Sequence, residues 1–413
     1  MQFLKLLTIS VLLMSCMGGS STEQSQSDTM DSLALSQKAQ ELAQKYIITD
    51  GHIDVPYRLN THMEDVSVRT ERGDFDFERA KAGGLNAPFM SIFVPASYQE
   101  TGGARVFADS MIQIVEGMAS NSPHKFAIAR SPQDVEEIVA RGLIALPMGM
   151  ENGAPLEEDL SNVQYFFDRG IRYITLTHGR DNLICDSSYD TTRTWNGLSP
   201  YGYNVVEEMN KVGIMIDVSH ISDSTFYQVM RASKAPAIAS HSSCRYFTPG
   251  WERNMADDMI QELAVNGGVI QINFGSTFLD QASNESSKAI QEHVDQWKTS
   301  QDVEPEDAAV RAYRDQYRRQ HFKYSHVARV VDHIDHVVEL AGIDHVAFGS
   351  DFDGVGDSLP VGLKDVSQYP NLIFELLKRG YSEEDIEKIC YKNVFRVWSQ
   401  VTEVAKELQK SSS

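Results

Sequence analysis

His52 and Asp54 stand two residues apart in the stretch Ile48-Thr49-Asp50-Gly51-His52-Ile53-Asp54. Read as a strand, that stretch turns both side chains to one face, because successive strand residues alternate sides. An imidazole and a carboxylate aimed at one point are ligands that a borderline cation such as zinc accepts. One His-x-Asp alone reads more readily as a capped strand end with a surface histidine. Repetition decides between the readings. Glu151 ends the apolar run 142–151, His178 ends 171–178, His220 ends 214–220, His241 ends 237–241 and Asp351 ends 345–351. Each alone is a helix cap or a buried histidine bonded to a carbonyl. So many such residues at strand ends are hard to explain as caps. Three imidazoles and two carboxylates suffice for two metal ions if one carboxylate bridges. Two ions can hold a hydroxide between them and polarise a carbonyl. Asp351 could exchange a proton with that hydroxide, and His178 could hydrogen-bond a developing oxyanion. The expected chemistry is metal-assisted hydrolysis.

The elements that must position these residues are short apolar strands alternating with amphipathic helices. Strands are expected at 46–54, 85–94, 142–151, 171–178, 214–220, 237–241, 268–274 and 345–351. Helices are expected at 37–45 behind an N-cap at Ser36, at 105–120, 162–169 and 203–212, and from the Ser222 cap to 233. Further helices are expected at 327–340, 371–379 and 383–398. This α/β rhythm points to a parallel sheet, and eight strands in one domain fit a closed (β/α)8 TIM-type barrel. An open doubly wound sheet would bind ligand at one crevice, not at nearly every strand end. The polar stretch 275–325 breaks the rhythm and reads as a helical insertion after the seventh strand, covering the barrel mouth as a charged, solvated helix pair with no catalytic duty. The remaining histidines read as structural: His62, His124, His293, His321, the helical His326, His333 and His336, and His345 at the start of the eighth strand.

Composition bounds the partners. The chain has 413 residues and a formal net charge of −21, which argues against nucleic acid as a partner. Residues 1–15 carry Lys5 and then the apolar run 6–14, too short to span a bilayer but suited to a signal peptide. Leu13-Met14-Ser15-Cys16 resembles a bacterial lipobox, which implies cleavage before Cys16 and lipidation of its thiol. Residues 16–36 read as a flexible tether, 37–405 as the catalytic barrel and 406–413 as a polar tail. That expectation puts the protein in a bacterial cell envelope, lipid-anchored and facing the periplasm or the cell surface. Cys185, Cys244 and Cys390 then remain, too few for a disulfide framework.

Taken together, the stretches 50–54, Gly149-Met150-Glu151-Asn152-Gly153, 176–178, 216–220, Ser240-His241-Ser242-Ser243, Arg253-Asn254 and 348–355 resemble the membrane (renal) dipeptidase family, peptidase family M19. They occur in the family's order from about 46 to 398. The resemblance implies a (β/α)8 barrel with a two-zinc centre. It implies His52 and Asp54 as ligands of one Zn2+, His220 and His241 as ligands of the other, and Glu151 as the bridge. It further implies Asp351 as the acid/base, His178 facing the scissile carbonyl and Arg253 binding the substrate's C-terminal carboxylate. The implied activity is hydrolysis of small dipeptides, often with a D-residue in second place; some members open β-lactam rings. A homodimer is implied by the same analogy. Asn152 stands where a glycine often follows the bridging glutamate, and is expected to narrow the pocket. The alternatives are another binuclear amidohydrolase acting on a cyclic or non-peptide amide, and a peptide-binding lipoprotein without activity. The former usually opens with His-x-His, and the latter would need a damaged ligand set.

Overall fold

Eight parallel strands follow one another around one sheet in the computed structural model, which describes residues 20–301, 304 and 308–411. In chain order the strands are β1 (Ile48–Ile53), β2 (Leu85–Phe93), β3 (Phe126–Ile128), β4 (Ile144–Leu146), β5 (Met148–Glu151), β6 (Ile171–Thr175), β7 (Met215–Asp217), β8 (Ile238–Ser242), β9 (Val269–Ile272) and β10 (Val346–Phe348). The large sheet runs β1-β2-β5-β6-β7-β8-β9-β10. Its two edges meet: Asp54 N–H donates to the Phe352 carbonyl (2.9 Å) and Asp351 N–H to the His52 carbonyl (3.0 Å). The expected (β/α)8 barrel is therefore present, and every strand in it is buried on both faces, as parallel barrels require.

The third expected strand is two strands. Pro147 interrupts it, since proline has no N–H to give a ladder. β4 then pairs with β3 in a separate two-stranded sheet, and β5 alone enters the barrel. The fourth, fifth and eighth strands stop three residues short of His178, His220 and Asp351, which ride on the turns beyond. The first helix is longer than expected. It spans Ser20–Lys45 and runs through Ser36, because no glycine or proline interrupts that stretch. The segment expected as a tether is thus helical from Ser20, and most of the expected polar tail belongs to the helix Asn393–Ser411. The signal peptide and Cys16 lie outside the described residues. Among those described, no helix is long and apolar enough to cross a membrane.

The caps follow local chemistry. Ser131, Ser199 and Ser222 each accept an N–H from the first turn of the helix they precede, and Pro132 and Pro200 open two of those helices. The end of the barrel away from the site is plugged. Phe89, Tyr173, Met215 and Ile238 pack with Val394 and Trp398 of the last helix, and Trp398 is fully buried. Truncating such a tryptophan typically costs about 3–5 kcal/mol. The insertion after β9 is helical as expected, with helices Ser276–Leu279, Gln281–Gln301 and Ala308–His321.

Candidate metal centre

The seven residues singled out at the strand ends converge on one point. Glu151, the last residue of β5, is the hub. Its Oε2 lies 3.4 Å from His52 Nε2. Its Oε1 lies 3.0 Å from His220 Nε2, 3.4 Å from His241 Nε2 and 3.7 Å from His178 Nε2. His52 Nε2 is also 3.6 Å from Asp54 Oδ2. Three groups have ligand atoms within 4.8 Å of one another: His52, Glu151 and His241; Glu151, His178 and His220; His52, Asp54 and Asp351. One carboxylate thus turns its two oxygens toward two different sets of partners.

Two of the imidazoles, His52 and His241, are aimed by what holds their far nitrogen. His52 Nδ1 meets the Tyr173 hydroxyl at 2.8 Å. Tyr173 can stand inside the barrel because its neighbour on β5 is Gly149; a Cβ there would fall inside the ring. His241 Nδ1 is 2.7 Å from Ser240 Oγ, whose single proton goes to Asp217 Oδ2 at 2.6 Å. Nδ1 of His241 must then carry the proton, and Nε2 presents its lone pair to the cluster. Asp217 also accepts the N–H groups of Ser219 (3.0 Å) and Ser240 (2.8 Å), fixing the turn that carries His220. Asp50 does the same work across the barrel seam. It accepts the N–H groups of His52 (3.0 Å) and Ser350 (2.9 Å) and the Tyr369 hydroxyl. His220 and Asp351 both have positive φ, 70° and 62°. A non-glycine residue adopts that conformation at a cost, which the buried bonds around both turns offset. Gly354 keeps the far side open, since a Cβ there would collide with the carboxylates of Asp351 and Asp54.

The electrostatics call for a cation. Asp54, Glu151 and Asp351 are all buried within one cluster. Burial holds the His220 and His241 imidazoles well below their ordinary range, keeping them in the neutral form that ligates metal. Burial acts against protonated His52 as well, but Tyr173, Glu151 and Asp54 outweigh it and hold that imidazole well above its usual range. Burial pushes the Asp351 carboxyl up to about 7; His52 pulls it down, and Asp54 and Glu151 push it further up. Asp351 Oδ2 takes its one hydrogen bond from Asn273 Nδ2 at 2.8 Å. Among the described residues, His52 Nε2, Asp54 Oδ1 and His220 Nδ1 of this cluster are buried with no hydrogen-bond partner. Orphaned lone pairs beside a knot of carboxylates fit a bound metal, and the donor set of nitrogens and oxygens fits zinc.

His178 stands at the rim, its ring packed edge-on against Phe93 at 4.8 Å. A cavity of about 620 Å3 opens above the cluster, walled by Asp54, Glu151, His178, His220 and Asp351 below and by Phe278, Ser287 and Arg318 of the insertion above. Arg253 lies behind His220 and is 2% exposed. It donates to Ser242 Oγ (2.8 Å) and the His241 carbonyl (2.8 Å), and its Nε is buried without a partner. Asn152 does not narrow the cavity. It takes a left-handed conformation (φ 78°), and its side chain turns away to the Val94 carbonyl (2.9 Å) and the Ala154 N–H (3.1 Å). Asparagine tolerates that conformation better than most residues, which is why it can replace a glycine there. Asp50, Asp217, Tyr173, Ser240 and Asn273 were not singled out in the sequence. Asp50 and Asp217 carry one signal, a carboxylate inside an apolar strand two or three residues before a histidine; Tyr173, Ser240 and Asn273 carry none. Cys185, Cys244 and Cys390 are buried free thiols.

The chain is similar to known dipeptidases over nearly its whole length. The profile of the membrane dipeptidase family (peptidase family M19) matches residues 36–412. Dipeptidase verJ of Clonostachys rogersoniana is 31% identical, the match covering 91% of this chain and 89% of that protein. An uncharacterized dipeptidase of Schizosaccharomyces pombe is 30% identical over 90% of this chain and 85% of its own. Among solved structures, the probable dipeptidase PvdM from Pseudomonas aeruginosa superposes with a TM-score of 0.78 at 29% identity, covering 90% of this chain and 99% of that one. With the converging ligand set and the barrel already established, the chain belongs to the membrane dipeptidase family, peptidase family M19, as a metallo-dipeptidase.

Proposed function

We propose that this protein hydrolyses dipeptides, including those with a D-residue in second place, at a two-zinc centre held by His52, Asp54, Glu151, His220 and His241. The observation that carries the reading is Glu151, whose Oε2 faces His52 while its Oε1 faces His220 and His241. When bound, the zinc pair polarises the peptide carbonyl and acidifies the attacking water. The remaining steps fall to the chain itself. Asp351, held by Asn273, takes the proton of the attacking water and returns one to the leaving amine. His178 at the rim donates to the oxygen that gains charge on the carbonyl carbon. Arg253, which stands behind His220 with its Nη2 3.1 Å from His220 Nε2, is proposed on the family resemblance as the partner of the substrate's terminal carboxylate. Phe93 and Phe278 wall the cavity and exclude water from the peptide. Chelation followed by zinc titration tests the proposal. Hydrolysis of Gly-D-amino-acid dipeptides is lost on chelation and returns with two zinc ions per chain; equal activity without metal overturns it.

The Cys16 lipid anchor is part of the same proposal, supported by the apolar run 6–14 and Leu13-Met14-Ser15-Cys16. Cys16→Ser is expected to release the protein from the membrane fraction. A homodimer is proposed on family analogy, to be read by light scattering.

A further inference from the structure

We infer that Arg318, carried by the insertion, selects dipeptides that bear an acidic side chain. This rests on the dipeptidase reading and adds a substrate class to it. Of the residues lining the cavity, Arg318 alone carries a fixed positive charge. Its guanidinium lies over the Phe322 ring at 3.9 Å, and its Nε donates to the Asp357 carbonyl at 2.8 Å. Among the described residues its two terminal nitrogens have no hydrogen bond. A stacked, tethered guanidinium with its outer edge free is prepared for a carboxylate, which it can grip through two parallel N–H groups.

The nearby acids are already satisfied. The Asp357 carboxylate accepts the Tyr324 hydroxyl at 2.7 Å, and Asp353 accepts Arg58 Nε at 2.9 Å. Both carboxylates are thus hydrogen-bonded without the terminal nitrogens of Arg318. Asp357, which tethers Arg318, is three residues from Gly354, which touches Asp351 and Asp54. A dipeptide with its scissile carbonyl over the cluster occupies the same cavity that Arg318 lines. In a chain of net charge −21, holding an acidic substrate needs such a dedicated cation.

The test compares paired dipeptides that differ only as Glu or Gln, at each position in turn, on the zinc-loaded wild type, Arg318→Gln and Arg318→Lys. The wild type is expected to prefer Glu in kcat/KM at one position by about tenfold or more, mostly through KM. In Arg318→Gln that ratio falls to near one, and Arg318→Lys keeps part of it. An unchanged Glu/Gln ratio in Arg318→Gln, or no preference in the wild type, overturns the inference. Wild-type cleavage of the Gln dipeptides decides the underlying dipeptidase reading separately. If neither dipeptide is cleaved, calorimetric binding of the same pair still reads Arg318: a Glu preference lost in Arg318→Gln upholds it, and equal binding ends it.

Discussion

Across one cavity, the barrel rim holds its side chains through buried backbone and hydroxyl bonds, whereas the insertion above holds its own by stacked rings. On the rim, His52 and His241 are at most 1% exposed, and each is fixed through its second ring nitrogen by Tyr173 or Ser240. Asp50 and Asp217 pin the turns beneath them. In the insertion, four buried apolar residues, Ile290, Val294, Val310 and Phe322, make a separate small core. Around it Trp297 stacks on Tyr313 at 4.1 Å, and His293 on Tyr317 at 3.9 Å. The rim is built for fixed geometry, as metal chemistry demands. The insertion packs around a small core separate from that of the barrel, and such regions are where substrate choice varies without disturbing the reaction.

Perturbing the rim should therefore damage chemistry, and perturbing the insertion should change selection. The largest effect is expected from Glu151→Gln, which removes the charge that faces His52 on one side and His220 and His241 on the other. Activity falls to background and zinc content, read by elemental analysis, falls with it; a variant that keeps two zinc ions and its turnover would break the contrast at once. Asp351→Asn is next: kcat drops about 10²–10⁴-fold with zinc content retained, as for loss of a general acid/base. Ser240→Ala touches no substrate. It frees Asp217 and His241 from one another, and zinc affinity measured by chelator competition weakens about 10–100-fold. The smallest effect belongs to the insertion. Trp297→Ala loses a ring pair contributing about 0.5–1.5 kcal/mol beyond its buried area. Proteolysis between 281 and 321 quickens, while zinc content and the melting of the barrel stay as in the wild type.

The same contrast explains what could be read from the amino-acid sequence. Strand-end His52, Asp54, Glu151 and His241 were legible because a barrel forces strand ends together, so residue type and position suffice. His178, His220 and Asp351 were found for the same reason, although they sit on turns past shorter strands. The split at Pro147 was missed because the apolar run continues through it, and a hydrophobic pattern does not register a lost N–H. Asp50 and Asp217 were missed because their partners, Ser350 and Ser240, come from other strands. The pocket consequence expected of Asn152 failed on backbone conformation: a positive φ swings its side chain out of the cavity. Arg318 was invisible for a different reason. One arginine in a charged helix has no pattern, and only the fold brings it over the cluster.

Anomalous diffraction at the zinc edge from crystals of the zinc-loaded protein is the most direct measurement of the central claim. The prediction is two peaks per chain, one within about 2.0–2.2 Å of His52 and Asp54, the other equally close to His220 and His241, with one Glu151 oxygen on each. A single peak, or two peaks not joined by Glu151, would contradict it.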